Sequence, residues 1–452
     1  MTIAYTFGCK MRRLKSIAFI FLFAIQLWAD EIYFPPIAEN TWGTVPPESL
    51  GWNLTKIQQL YDFLEQQNTK AFIVLKDGKI VLEKYFGTFT QDSVWYWASA
   101  GKTITAFLVG KAQEEGFLSI SDRTSKYLGT GWTKCPKEKE DKITIRHQLT
   151  MTTGLDDGVP DNHCIIDTCL IYKADAGTRW AYHNAPYTLL EKVLTKATNL
   201  PINIYTRQKL GSKAGINGFW FTIGYDNVFF SKPRDMARFG LLFLNDCIWG
   251  NDTLLKDRHY FNEMVNTSQP LNNSYGYLWW LNGKSSFMVP TLQFVFPGPL
   301  FPDAPMDMIT GLGKNGQIVS VSKSLGLVVV RMGDKPNDDG EIPFKLCNQI
   351  WQKLNEVMSK VNSVKEDEQK VLSITPNPAS DYIEIHILNN RLQPIVQNNE
   401  TISIYNTLGE CVEIEPLHLM NSSYRMNIKH LPMGLYFVQI GTYRGKFLKI
   451  CR

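Results

Sequence analysis

The stretch WYWASAGKTITAFLVGKAQEEG, residues 95–116, opens on three aromatics, passes through Ser99 and Lys102, and continues with apolar residues at Ile104, Phe107, Leu108 and Ala112. That spacing predicts a helix from Ser99 to Glu115, closed at Gly116. Residues three apart share a helix face, so the Lys102 amine can reach the Ser99 hydroxyl; on a strand the two would point to opposite sides. The same S-x-x-K letters recur at Ser320–Lys323. There IVSVSKSLGLVVV alternates and ends in β-branched residues, as a strand does, and Ser320 is set aside. Accidental matches to so short a pattern are expected, so Ser99 needs partners elsewhere in the chain.

At 452 residues, with 20% charged and 44% hydrophobic residues, the chain is ordinary globular material and long enough for two or three domains. A net charge of +4 without a dense Lys/Arg stripe argues against nucleic acid, and no such partner is expected. Lys10, Arg12, Arg13 and Lys15 precede the apolar run IAFIFLFAIQL and then Ala29. This order predicts a signal peptide over residues 1–29, too short in its apolar part to span a bilayer, with Met11 as an alternative start. No transmembrane segment is expected in the mature chain.

Export permits disulfides. Cys164 and Cys169, in DNHCIIDTC, could close a small loop, and either could instead pair with Cys135; the sequence leaves the connectivity open. The lack of a paired C-x-x-C or an H-E-x-x-H argues against zinc, and neither metal nor cofactor is expected.

AFIVLKDGKIVLEKYFG reads as a hairpin about Asp77-Gly78. Helical patterns follow through IRHQLTMTTGL, YTLLEKVLTKAT and RDMARFGLLFLND, and strands return in GKNGQIVSVSK and LGLVVVRMG before the helix FKLCNQIWQKLNEVM. Strands at both ends with helices between them predict an α+β domain over residues 30–357: an antiparallel sheet built from both ends, flanked by helices, beside a helical subdomain. A site belongs in the cleft between those parts. Residues 358–370 read as a polar linker, and 371–452 as a small all-β sandwich of short alternating strands.

A serine hydroxyl needs a base, and lysine serves only when neutral. Holding it neutral at pH 7 costs about 4.6 kcal/mol from its ordinary pKa, so burial or converging cations are expected around Lys102. Tyr182, in the Y-x-N sequence Tyr182-His183-Asn184 ahead of a helical pattern, offers a phenol and an amide together. Lys314 stands in GLGKNGQ, where glycines let a strand approach a ligand. Each has a plainer reading, Tyr182 as a packed aromatic and Lys314 as a solvated turn residue.

The order Ser99-Ala100-Gly101-Lys102, Tyr182-His183-Asn184 and Lys314-Asn315-Gly316 resembles the S-x-x-K, Y-x-N and K-T-G elements of the serine β-lactamase and penicillin-binding-protein superfamily, in its class C and esterase-like branch. With HQLTMTTGL, DMARFGLLFLN and YGYLWW, the resemblance covers roughly residues 50–355. It implies that Ser99 is acylated, Lys102 takes its proton and Tyr182 serves in proton transfer. It further implies that Asn184 positions substrate or Lys102, Lys314 supplies positive potential, and the backbone N–H groups of Ser99 and Gln317 form an oxyanion hole. Asn315 stands where the family usually has Thr, and no class A deacylating glutamate is found, so efficient β-lactam turnover is not implied. Tyr225-Asp226-Asn227 is a second Y-x-N, without the helix that should follow it. His147, His163 and His183 lack the G-x-S-x-G elbow of a Ser-His-Asp hydrolase. QFVFPGPLFPDAP, residues 293–305, either walls the pocket or packs on itself.

TPNPASDYIEI, ISIYNTLGE and LPMGLYFVQI resemble the C-terminal sorting domain of the type IX secretion system, which implies that machinery as a partner and a secreted or cell-surface location; an independent sugar-binding module is the alternative. The expected function is a secreted serine hydrolase acting on a small ester, amide or peptide substrate. A penicillin-binding receptor that acylates but turns over slowly and a non-catalytic surface binding protein are the alternatives.

Overall fold

Asp77 and Gly78 both adopt positive φ, 47° and 86°, the geometry that lets a two-residue turn follow the twist of a hairpin. They join β1 (Thr69–Lys76) to β2 (Lys79–Tyr85), as the sequence predicts. The computed structural model describes residues 32–337, 340–359, 372–387, 402–407, 409–412, 416–420, 423–440 and 443–451. The expected signal peptide, 1–29, and nearly all of the expected linker lie outside them. The chain falls into two compact units, one ending at Ser359 and the other beginning at Lys360.

In the first unit the hairpin joins β3 (Trp280–Leu281), β4 (Ile309–Gly313), β5 (Gln317–Ser322) and β6 (Leu327–Gly333) in one antiparallel sheet. Its spatial order is β2-β1-β6-β5-β4-β3. The β1–β6 ladder, which sets Phe72 opposite Arg331, closes residues from the two ends of the domain onto each other. All residues of β5 and β6 are buried, which requires cover on both faces. Alternation sorts that cover. Val319 and Val328 lie against Gly240 of helix Pro233–Leu244. Ser320, one residue on, approaches Cys347 of helix Phe344–Met358 on the opposite face, Oγ to Sγ 3.9 Å. Helix Leu54–Gln66 packs on that last helix.

Arg331 is a polar side chain wholly buried beside this sheet. Its guanidinium donates to the carbonyls of Asn315 at 3.0 Å, Gly316 at 2.7 Å and Gln67, and to Thr69 Oγ1 at 3.0 Å. A buried cation persists only when its donors are used, and here they tie the turn after β4 to the chain entering β1.

In the second unit, strands Leu372–Thr375, Tyr382–Ile387, Ser423–Asn427 and Pro416–Met420 form one antiparallel sheet. Cys411–Val412, Ile402–Tyr405, Gly434–Ile440 and Tyr443–Lys449 form another. Alternate residues Ile374, Ile383, Ile385 and Met426 of the first share a core with Ile404, Tyr436, Val438 and Phe447 of the second, the sandwich that the alternation predicts. The fold is α+β followed by a strand-rich sandwich.

Replacing Arg331 with Leu strands carbonyls that its N–H groups now satisfy. We expect a loss of about 2–4 kcal/mol, read as a lower urea midpoint of the first unit; an unchanged midpoint contradicts this role.

Candidate active site

The approach to Ser99 is set by backbone pairing. Trp95–Tyr96 adds as a short strand to Asp226–Ser231, and Trp97 N–H donates to Phe229 O at 2.8 Å. The Trp97 indole is fully buried, edge-on to Phe229 and Phe239. Ala98 then takes φ 46°, a left-handed conformation uncommon for a residue with a side chain and typical of functional sites. A 3₁₀ turn, Ala98–Gly101, follows, and helix Lys102–Glu114 continues from it. The helix predicted from Ser99 thus starts as 3₁₀, whose three-residue period eclipses positions i and i+3 and sets Lys102 directly over Ser99. Strand β4 runs hard against this turn: a Cβ on Gly313 would lie 2.2 Å from Trp97 O and 2.9 Å from Ala100 N. Only glycine fits there.

Lys102 Nζ donates to Ser99 Oγ at 3.0 Å and to Asn184 Oδ1 at 2.9 Å. The side chain is 4% exposed, with its amine 4.1 Å from the Tyr187 ring centre and 5.2 Å from that of Tyr182. Burial lowers its pKa to about 7, against the opposing pull of Asp226 and Glu341. Of the two causes expected from sequence, burial and converging cations, burial is the one that acts, and the charges that bear on the amine are those two carboxylates.

Tyr182, buried and stacked on Trp280 at 5.7 Å, is both a packed aromatic and part of the cleft wall. Burial pushes its phenol well above the ordinary value, with Ser99 acting in the opposite sense. The phenol is therefore neutral, and a proton donor, at neutral pH. Asn184 begins helix Asn184–Thr198. Its Nδ2 donates to Asn162 Oδ1 at 3.1 Å and faces His163 Nε2 at 3.2 Å, while His163 Nδ1 meets the Asp226 carboxylate at 2.8 Å. Asn162 and His163 lie immediately before the loop closed by the Cys164–Cys169 disulfide, with Cys135 free.

Ser99, Lys102, Tyr182, Asn184 and Lys314 line one cleft of about 350 Å³. Lys314 is mostly exposed, and its Nζ lies 3.7 Å from the oppositely charged Glu341 carboxylate. The other anticipated binding residues turn elsewhere. Asn315 Nδ2 donates to Tyr96 Oη at 2.7 Å, Gly316 is buried under Arg331, and the Gln317 side chain is bound to the backbone of Gly333. If Gly316 and Gln317 touch a ligand, they do so through backbone atoms.

Sequence reasoning did not place His163, Asp226 and Asn227 in the cleft; the Y-x-N letters at Tyr225 marked the last two and were set aside, and His163 was weighed only as a triad histidine. The apolar wall comes from Tyr96, Ile223, Val228 and Ile342. Residues 293–305 are not among its lining: Phe296 stacks on Phe287 at 5.3 Å with Phe294 against it, and Phe301 is buried against Phe344, so the segment is neither a pocket wall nor packed only on itself. His147 caps a helix through Thr144, and His183 is buried and held neutral, its pKa lowered to about 4 by desolvation. His163 meets Asn184, so no Ser-His-Asp triad forms with Ser99. Among the described residues no cluster of three or more His, Cys, Asp or Glu side chains has metal-binding geometry.

Residues 62–342 match the β-lactamase family model, and residues 373–450 match that of the secretion system C-terminal sorting domain. A β-lactamase-fold structure from Bacteroides dorei, provisionally named a β-lactamase, superposes with TM-score 0.54 at 16% identity, over 68% of this chain and 99% of its own. One from Bacillus anthracis, provisionally named a 6-aminohexanoate-dimer hydrolase, gives 0.54 at 17% identity, over 74% and 91%. A penicillin-binding protein of Bacillus subtilis is 23% identical over 36% of this chain and 40% of its own length. An uncharacterised protein of Alkalihalophilus pseudofirmus is 26% identical over 33% and 43%. The chain thus spans about two fifths of the length of these last two relatives. With the fold, the order of motifs and the family match in agreement, the chain belongs to the β-lactamase family of the serine β-lactamase and penicillin-binding-protein superfamily and carries a secretion sorting domain at its C-terminal end.

Proposed function

We propose that this protein is an exported serine hydrolase that cleaves an ester or amide through an acyl-enzyme on Ser99. The observation carrying this reading is the 3.0 Å contact between Ser99 Oγ and a Lys102 amine that burial brings to a pKa of about 7. A base is most effective when its pKa lies near the working pH. Neutral Lys102 takes the Ser99 proton as Oγ attacks the carbonyl carbon. The neutral Tyr182 phenol passes a proton to the departing group and later helps deprotonate the attacking water. Asn184 holds the amine, Lys314 favours an anionic end of the substrate, and the backbone N–H groups of Ser99 and Gln317 receive the oxyanion, each donor contributing about 3 kcal/mol. The apolar wall of Tyr96, Ile223, Val228 and Ile342 suits an apolar acyl group. The likeness to a protein named for a linear amide supports including amides. In this reading residues 1–29 are a removed signal peptide, 30–357 the hydrolase, 358–370 a linker and 371–452 the address for type IX secretion.

Purified protein is expected to turn over a p-nitrophenyl ester, with Ser99→Ala reducing kcat/KM by at least about 10³-fold. Persistent labelling by a fluorescent penicillin without turnover would indicate an acylating receptor, and no reaction at Ser99 with any acyl donor overturns the reading. Activity is expected to fall as pH drops below about 7, because protonated Lys102 cannot accept the Ser99 proton; a rate flat from pH 5 to 8, the range histidine-like groups sample, contradicts Lys102 as base. Lys102 also leaves a stability signature. Its folded pKa lies below the unfolded one, so the unfolded state binds more protons between them and wild-type stability rises with pH across that window. Lys102→Met is expected to melt higher than wild type at pH 7, with the gap narrowing as pH rises; a constant gap argues against a neutral buried amine.

A further inference from the structure

The contacts of Lys102 continue past Asn184 to groups that the catalytic reading does not use. Asn184 Oδ1 accepts from Lys102, so its Nδ2 faces the other way, toward Asn162 Oδ1 at 3.1 Å and His163 Nε2 at 3.2 Å. An amide nitrogen has only hydrogens to offer, so Nε2 must present its lone pair. The imidazole proton then sits on Nδ1, where the Asp226 carboxylate accepts it at 2.8 Å. Carboxylate, ring, amide and amine form one chain in which each hydrogen bond fixes the sense of the next. The ring itself is held by the loop: His163 N–H donates to Asp161 Oδ1, Ala185 N–H donates to Asn162 O, and the Cys164–Cys169 disulfide follows immediately.

We propose that His163, oriented by Asp226, is a positioning residue of the Ser99 site: its Nε2 lone pair fixes which end of the Asn184 amide faces Lys102. Without that acceptor the amide is held by Asn162 alone and can turn to present its N–H₂ to the Lys102 amine. Lys102 then loses an acceptor and its aim at Ser99.

This inference rests on Ser99 and Lys102 reacting as proposed above. The test uses the full chain, a p-nitrophenyl ester and a fluorophosphonate label for Ser99, with thermal melts to verify folding. His163→Ala is expected to lower kcat about tenfold with little change in KM, since the lost aim acts on the reaction more than on binding. His163→Gln, whose Oε1 can accept from Asn184, is expected to recover part of that loss. A folded His163→Ala with wild-type kcat, or a folded His163→Gln no better than His163→Ala, overturns the inference while leaving the Ser99 reading intact. A wild type that neither turns over ester nor takes the label overturns the Ser99 reading and this inference with it.

Discussion

An ammonium ion is stable in water and costly inside a protein, and the first unit is arranged around one amine kept where water does not reach it. Lys102 Nζ has the Ser99 hydroxyl and the Asn184 amide oxygen as partners and the rings of Tyr182 and Tyr187 as walls. No carboxylate bonds to it directly, so the charged form gains too little to offset desolvation. Asp226 and Glu341 act from further away and limit the shift. The amine ends near neutrality, able to exist in either form, which is the condition for proton transfer.

Holding that arrangement falls to the sheet. The β1–β6 ladder brings the two ends of the domain together, β4 presses against the 3₁₀ turn that carries Ser99, and Arg331 ties the turn after β4 to the chain entering β1. The left-handed Ala98 is the local strain this frame sustains. Rigidity here has a use, because a displaced nucleophile loses rate steeply even when its chemistry is unchanged.

Across the cleft the segment leading into the Cys164–Cys169 disulfide works as a second frame. It supplies Asn162 and His163 to the same amide that Lys102 uses, so the basic end of the site is buttressed from a helix, a loop and a hairpin at once. The hairpin of Gly218–Ile223 with Asp226–Ser231, which contributes Asp226, also contributes Ile223 and Val228 to the apolar wall, which couples the polar chain to the surface a substrate would meet.

Much of this was legible in the residues. Turn chemistry at Asp77-Gly78, alternation in β5 and β6 and helical spacing after Lys102 are local signals, set by φ preferences and by which side chains can face a core. Motif order likewise marked Ser99, Lys102, Tyr182, Asn184 and Lys314, and the cleft gathers all five. Three-dimensional packing alone decided the rest. Desolvation depends on everything that surrounds an amine, so residues near Lys102 in the chain could not decide between burial and converging cations, and the fold decided for burial. His163 and Asp226 stand 61 and 124 positions beyond Lys102 in the numbering, and only folding gives them a common amide to act on. The sequence by itself determined which groups are available to react; the tertiary structure decided which of them are dry, which way their protons point, and that the Phe-rich segment packs away from the cleft against Phe287 and Phe344, because solvation and hydrogen-bond direction belong to neighbours in space.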